Sequence, residues 1–173
     1  MGIFKIDVDN FQWINGPEDD PQDLCLHGHV TAWIGDTLLE DDGTVSATAL
    51  YLLKTLTDDK VMAECDIQMI PCCGHTMFAN RELTEVMISG CPNGTDWSTI
   101  HEGDSVRLIL PSGQEKVVEL SAYREEVLRF AEKVKEYIAN HPGSHREVIT
   151  RMLRYFQNEG IVKLFCFHAI SAS

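Results

Sequence analysis

Basic residues are scarce in this chain, and the scarcity is uneven. The 173 residues include 14 Lys and Arg against 27 Asp and Glu, which gives a net charge of −13. Residues 1–60 hold three basic and twelve acidic side chains, residues 61–120 three and nine, and residues 121–173 eight and six. Because phosphate binding needs clustered Lys and Arg, the acidic part of the chain disfavours nucleic acid and favours a basic protein or a cation as partner.

Long apolar runs are also missing. No stretch approaches the roughly 18 apolar residues of a membrane-spanning helix, and the first residues, Met1 to Asp9, lack the charged and apolar regions of an export signal. The six cysteines have no regular spacing, which favours reduced thiols over a disulfide framework. We therefore expect a cytoplasmic protein with no membrane partner.

The signatures of several enzyme classes are absent as well. The chain contains no Gly-x-Ser-x-Gly elbow, no phosphate-binding glycine loop and no twelve-residue calcium loop. Its hydrophobic share of 44% and charged share of 24% are typical of globular proteins. We predict one domain over residues 1–173, and no acyl-transfer or nucleotide-dependent activity.

The N-terminal half carries the pattern of a β-hairpin followed by a helix. Residues 25–34 alternate with period two, Gly35-Asp36 supplies a two-residue turn, and residues 37–40 return as a partner strand. Asp41-Asp42-Gly43-Thr44 then closes the hairpin, and residues 46–56 have helical periodicity. Two faces are predicted for the first strand: Leu26, Val30, Ala32 and Ile34 on one, and Cys25, His27, His29, Thr31 and Trp33 on the other.

The C-terminal part is predicted to be mainly helical. A stripe at helical spacing begins at Tyr123 and ends at Tyr137, and Ser144 with Glu147 has the spacing of a capping box for a second helix. Residues 161–170 are apolar on both faces, as in a buried strand. The fold class is therefore α+β, with an antiparallel or mixed sheet packed against about three helices, two of them near the C-terminus.

Two groups of residues could bind a metal. Cys25, His27 and His29 alternate onto one face of the predicted strand, and thiolate and imidazole are the ligands that zinc prefers. A second set, Cys72, Cys73 and His75, follows Pro71 in a predicted loop. Neither set has a diagnostic metal-site spacing, so structural roles are the alternative for both.

Paired aspartates are the candidate contacts for a protein partner. They are Asp19 with Asp20, and Asp41 with Asp42. Acidic surfaces of this kind steer the association of basic proteins, although solvation of the surface is the ordinary role of such pairs.

The segment from Cys91 to Trp97 is the last candidate. Asp96 and His101 lie close to Cys91 in sequence, so a thiol nucleophile with an imidazole base is conceivable. The simpler interpretation is a tight Pro and Asn-Gly connection with Trp97 as a core anchor. The segment, together with His101 to Asp104, resembles stretches of small uncharacterised bacterial proteins, which implies a bacterial origin and assigns no function.

These observations rank three hypotheses. The first is a non-enzymatic interaction module of the inhibitor or immunity type, without a cofactor, that binds a basic protein. The second is a metal-binding protein or metal-dependent hydrolase that uses zinc at a Cys/His cluster. The third is a self-associating structural protein, in which the basic C-terminal helices dock on the acidic part of another copy.

Overall fold

The computed structural model describes residues 2–13, 25–62, 68–72, 76–81, 85–90, 93–140, 150–151, 153–154 and 163–166. Within these residues the chain is a mixture of strands and helices, so the predicted α+β class is confirmed. The elements with defined bounds are β1 (Phe4–Gln12), β2 (His27–Ile34), β3 (Thr37–Thr44), α1 (Val45–Lys54), β4 (Ile70–Pro71), β5 (Thr76–Ala79), β6 (Glu85–Ser89), β7 (Gly94–Thr95), β8 (Ser98–Glu102), β9 (Ser105–Ile109), β10 (Glu115–Glu119), α2 (Leu120–Asn140) and β11 (Lys163–Cys166).

The strands form antiparallel and mixed sheets, as predicted. The first sheet has the order β1-β2-β3 and the second the order β10-β9-β8, and both are antiparallel throughout. A third sheet, in the order β11-β6-β5, is mixed because β11 runs parallel to β6. The short strands β4 and β7 pair with each other.

The predicted alternation is confirmed from His27 to Ile34, whereas Cys25, which was predicted on the outer face of the strand, precedes β2 and is buried. Leu26, Val30, Ala32 and Ile34 are buried on one side, while every second residue from His27 to Trp33 keeps part of its surface exposed. The two-residue turn at Gly35-Asp36 joins β2 to β3, since Ile34 pairs with Thr37. The first sheet therefore has an inner face on the core and an outer face toward solvent.

Strand β3 is longer than predicted. The sequence prediction ended the strand at residue 40, with Asp41-Asp42-Gly43-Thr44 closing the hairpin, but all four residues pair with β2, from Val30 opposite Asp41 to His27 opposite Thr44. Pairing with a neighbouring strand overrides the low strand propensity of Asp and Gly. Gly43 also has a packing role, because a Cβ added there would lie 2.7 Å from the Pro71 carbonyl oxygen.

Helix α1 is buried on every side from Val45 to Leu53. The prediction of a helix here is confirmed, and burial on all sides is typical of a helix within a core. Its first turn is held by tertiary contacts: the Val45 N–H donates to the Leu26 carbonyl at 2.7 Å. At its other end the Thr55 hydroxyl hydrogen bonds to the Tyr123 hydroxyl at 2.7 Å, which ties α1 to α2.

Helix α2 follows β10 directly, and its predicted apolar stripe is confirmed. The buried side chains along it are Tyr123, Val127, Phe130, Ala131, Val134 and Ile138. They join one hydrophobic cluster to which the first sheet, the second sheet and α1 also contribute. Aromatic contacts link these parts, with ring centroids 4.9 Å apart for Phe4 and Tyr123 and 6.4 Å apart for Phe4 and Trp97.

The predicted number of about three helices is not matched, because two helices have defined bounds in the described part of the chain. Helical backbone is also present at residues 150, 151, 153 and 154, but most of the predicted second C-terminal helix lies outside the described residues. Neither α1 nor α2 combines the length and apolar character needed to cross a bilayer.

Candidate interaction face

The outer face of the first sheet brings carboxylates from two strands around one histidine. The strand register places Asp9 of β1, His29 of β2 and Asp42 of β3 in one cross-strand row. Directly paired residues in a sheet have Cβ atoms about 4.5–5.5 Å apart. The next row holds Asp7, Thr31 and Glu40. We call these six residues the acidic face.

His29 is the hub of the acidic face. Its Nδ1–H donates to Oδ1 of Asp42 at 2.9 Å, and its Nε2 lies 3.8 Å from Oε2 of Glu40. The hydrogen bond to Asp42, aided by the negative charges of Asp42, Asp9 and Glu40 and opposed by desolvation, raises the pKa of His29 above its ordinary value. The carboxylates therefore favour the imidazolium form.

The carboxylates around His29 remain open to solvent. The side chain of Asp42 is 85% exposed and that of Glu40 is 56% exposed, against 32% for His29. Within the described residues, no Lys or Arg forms an ion pair with Asp9, Glu40 or Asp42. Among the described residues, His29 is therefore the cationic partner of Asp42 and Glu40, and its positive charge depends on pH.

Asp7, the fourth carboxylate of the acidic face, is neutralised by α2. Lys133 Nζ lies 2.8 Å and Arg129 Nη1 3.7 Å from Asp7 Oδ1. Burial raises the pKa of Asp7, but hydrogen bonds from Lys133 and the Val8 N–H and the two nearby positive charges outweigh that effect, so the pKa lies below its usual value. Asp7 therefore contributes less unpaired negative charge to the acidic face than Asp9, Glu40 and Asp42 do.

The same two cations cover the outer edge of β1. Lys133 Nζ donates to the Val8 carbonyl at 2.6 Å, and Arg129 Nη2 donates to the Ile6 carbonyl. Four helical residues span about 6 Å and two strand residues about 6.8 Å, so the spacing of the cations matches that of the carbonyls. A covered edge resists pairing with another chain. Part of the positive charge of the C-terminal region is therefore engaged within the molecule.

The outer face of the second sheet offers a direct comparison. Arg107 of the central strand β9 donates from Nε to Glu102 at 2.7 Å and from Nη1 to Glu115 at 3.0 Å. The hydrogen bond to Glu102 and the charges of both glutamates raise the pKa of Arg107 further. A permanent cation thus balances the two carboxylates, which distinguishes this face from the acidic face.

The predicted metal ligands lie close in sequence but have other contacts. Cys25 is buried and precedes β2, while His27 Nε2 is 3.4 Å from the Thr44 hydroxyl. Cys72 follows β4, and its N–H donates to the Asn93 carbonyl at 3.0 Å. Cys73 and His75 lie outside the described residues. Among the residues that are described, no group of three or more Cys, His, Asp or Glu could hold a metal ion, and the zinc site stays a prediction.

The predicted aspartate contacts separate into different environments. Asp41 and Asp42 are adjacent in a strand, so their side chains point to opposite faces. Asp41 accepts a hydrogen bond from the Thr95 hydroxyl at 3.0 Å, whereas Asp42 belongs to the acidic face. Asp19 and Asp20 lie outside the described residues.

The segment around Trp97 has structural contacts. Both carboxylate oxygens of Asp96 accept from Lys60, at 2.6 and 2.7 Å, and the Met69 N–H donates to Asp96 at 2.9 Å. His101 instead pairs with Asp59, its Nδ1 lying 2.8 Å from Oδ1. Trp97 is fully buried, which confirms it as a core anchor. Cys91, the nucleophile in the hypothesis of a thiol activated by an imidazole base, lies outside the described residues.

Sequence reasoning missed Asp9 and Glu40 as members of the acidic face. The alternation of Ile6 and Val8 with Asp7 and Asp9 marked those two aspartates as outward-facing. Only the register of three strands places Asp9 and Glu40 beside His29.

Comparison of the chain with models of known protein families, with curated proteins and with solved structures finds no match in any of the three.

Proposed function

We propose that this protein is a cytoplasmic interaction module of the inhibitor or immunity type, which binds a basic protein through the acidic face. One observation carries the proposal: Asp9, Glu40 and Asp42 surround His29 on an exposed sheet face, and no described Lys or Arg forms an ion pair with any of these three carboxylates. Negative charge concentrated in this way attracts a cationic surface.

The physical basis is electrostatic complementarity. Exposed charges at the rim of an interface mainly accelerate association and select partners, and their effect is screened by salt. The proposal therefore predicts binding that weakens markedly as the salt concentration increases. The contacts of Asp96 with Lys60 and of His101 with Asp59 support structural rather than catalytic roles for those residues.

Self-association through the acidic face is disfavoured by the same charges. Two copies meeting there would place like charges against each other. Arg129 and Lys133, which could offer a complementary surface, already contact β1 of their own chain.

Binding of an octalysine peptide, followed by isothermal calorimetry at low and high salt, tests the proposal. The triple variant Asp9→Asn, Glu40→Gln, Asp42→Asn should bind at least about tenfold more weakly, since three attractive charges are lost. A matched triple variant, Glu119→Gln, Glu125→Gln, Glu136→Gln, removes the same charge from exposed positions outside the acidic face.

The matched variant should bind octalysine nearly as tightly as the unmodified protein. Equal weakening by both triple variants would contradict the proposal, because it would show that only the net charge matters. Thermal unfolding of both variants checks that the fold is intact.

A further inference from the structure

The acidic face continues into an apolar region along the same side of the first sheet. Beyond the row of Thr31 lies a row formed by Lys5, Trp33 and Leu38. Leu38 is 39% exposed, and Trp33 is partly exposed on the outward side of β2. Ile3, 45% exposed, is at the same end of the sheet, because its carbonyl accepts the Gly35 N–H at 2.6 Å.

Exposed apolar side chains are concentrated at this end of the first sheet. Ile3 and Leu38 are two of the four large apolar side chains that are exposed in the described part of the chain, the others being Val61 and Val117. We call Ile3, Trp33 and Leu38 the apolar end. Tryptophan is one of the side chains enriched at the energetic centres of protein interfaces, so Trp33 is the candidate anchor of this end.

The two regions are separated by a fixed distance. His29 and Trp33 are four residues apart on β2, which corresponds to about 13 Å along a strand. Lys5 stands in the apolar row, so a cationic group of a partner is repelled there and attracted by Asp9, Glu40 and Asp42 at the other end. The charges therefore fix the orientation in which a basic segment binds along this face.

We propose that the partner is a basic protein segment that presents two anchors, a Lys or Arg against the acidic face and an apolar side chain against the apolar end, about 13 Å apart. This inference rests on the proposed function, and it adds the chemistry and the orientation of the partner. Charge selects and orients the segment, and burial of the apolar anchor supplies affinity that salt does not screen.

Trp33 provides a direct readout of the apolar end. The other two of the three tryptophans are buried, Trp13 with 6% and Trp97 with 0% of its surface exposed. Burial of Trp33 by a ligand should shift its fluorescence to shorter wavelengths. Octalysine, which offers no apolar anchor, should bind the acidic face without this shift.

The test uses extended peptides in which a lysine and a leucine are separated by three serines. Matched peptides carry serine in place of the leucine or of the lysine. The leucine should improve binding to the unmodified protein about fivefold, as expected for partial burial of one such side chain. The improvement and the shift in emission should both disappear in the Leu38→Ser variant, in which the exposed Leu38 is replaced, and thermal unfolding checks that this variant is folded.

The outcomes separate this inference from the proposed function. If octalysine binds but the leucine adds no affinity and Trp33 emission stays constant, the two-anchor inference is overturned and the proposed function stands. If the leucine peptide binds equally well without its lysine, the inference is overturned too. Failure of every basic probe to bind would overturn the proposed function itself.

Discussion

The first and second sheets each have three antiparallel strands, with a cationic side chain on the central strand and carboxylates on both neighbours. In the second sheet the cation is Arg107, bonded to Glu102 and Glu115. In the first sheet it is His29, with carboxylates of Asp9 and Asp42 in its row. Two similar sheets therefore differ in whether their carboxylates have a permanent positive charge beside them, because Arg107 stays charged while the charge of His29 depends on pH.

The anchoring of the second sheet should show the largest effect on stability. Lys60 pairs with Thr99 of β8, and its ammonium group is bonded to Asp96, whose side chain is 6% exposed. Replacing Lys60 by Met leaves a buried carboxylate without its partner and should lower the free energy of unfolding by about 3–5 kcal/mol. Urea denaturation measures the change.

The control for Lys60→Met is Arg124→Met, which removes a cation from an exposed position on α2. It should change the free energy of unfolding by less than about 0.5 kcal/mol. A similar loss in both variants would refute the structural role of the Lys60 and Asp96 pair.

Substitution of the central cation in each sheet should change how that sheet binds octalysine. In mild alkali, above the raised pKa of His29, His29→Arg places a positive charge among Asp9, Glu40 and Asp42 and should weaken octalysine binding about tenfold. Arg107→Gln leaves Glu102 and Glu115 without the positive charge of Arg107 and should create a second, weaker site for octalysine.

Isothermal calorimetry measures the affinity of His29→Arg for octalysine and the stoichiometry of octalysine binding to Arg107→Gln. Unchanged affinity in His29→Arg would show that the charge balance of the first sheet does not control binding. A stoichiometry that stays constant in Arg107→Gln would show that the two faces differ in more than their central cation.

The contact of Lys133 with the edge of β1 should contribute less to the free energy of unfolding than the Lys60 and Asp96 pair. Lys133→Met removes the donor to Val8 and the counter-charge of Asp7, and because the Lys133 side chain is 41% exposed, the cost should be about 1 kcal/mol. Urea denaturation again measures it, with Arg124→Met as the control. A loss as large as that of Lys60→Met would mean that the helix contact is part of the buried core.

The smallest effect should be the pH dependence contributed by His29. Its pKa is raised above 6.5 in the folded protein, so its stabilising contribution is complete below about pH 6.5 and is lost as the pH rises through the raised value. The melting temperature of His29→Gln should therefore fall below that of the unmodified protein in mild acid, and the difference should vanish in mild alkali. A difference that grows with pH would reverse the assigned sign.

Local periodicity explains what could be predicted from the sequence. The two faces of β2 and the stripe of α2 depend on neighbouring residues, and both were predicted correctly. The predicted end of β3 at residue 40 was wrong because pairing with β2, a tertiary effect, extends the strand through Asp41-Asp42-Gly43-Thr44. The complete burial of α1 likewise depends on elements distant in sequence.

The candidate site was predictable in part for the same reason. His29 and Asp42 were singled out from sequence, but their hydrogen bond depends on the register of β2 and β3. Asp41 was grouped with Asp42, although the alternation of a strand directs it to the other face. The role of Lys133 on β1 joins positions 126 residues apart, which no local pattern indicates.

Amide chemical shifts recorded by NMR during titration with octalysine show in one experiment whether the acidic face binds a basic ligand and the second sheet does not. Salt-sensitive shifts should concentrate at Asp9, His29, Glu40 and Asp42, with β8, β9 and β10 nearly unaffected. Shifts of equal size around Arg107, or shifts spread over all exposed carboxylates, would contradict this prediction.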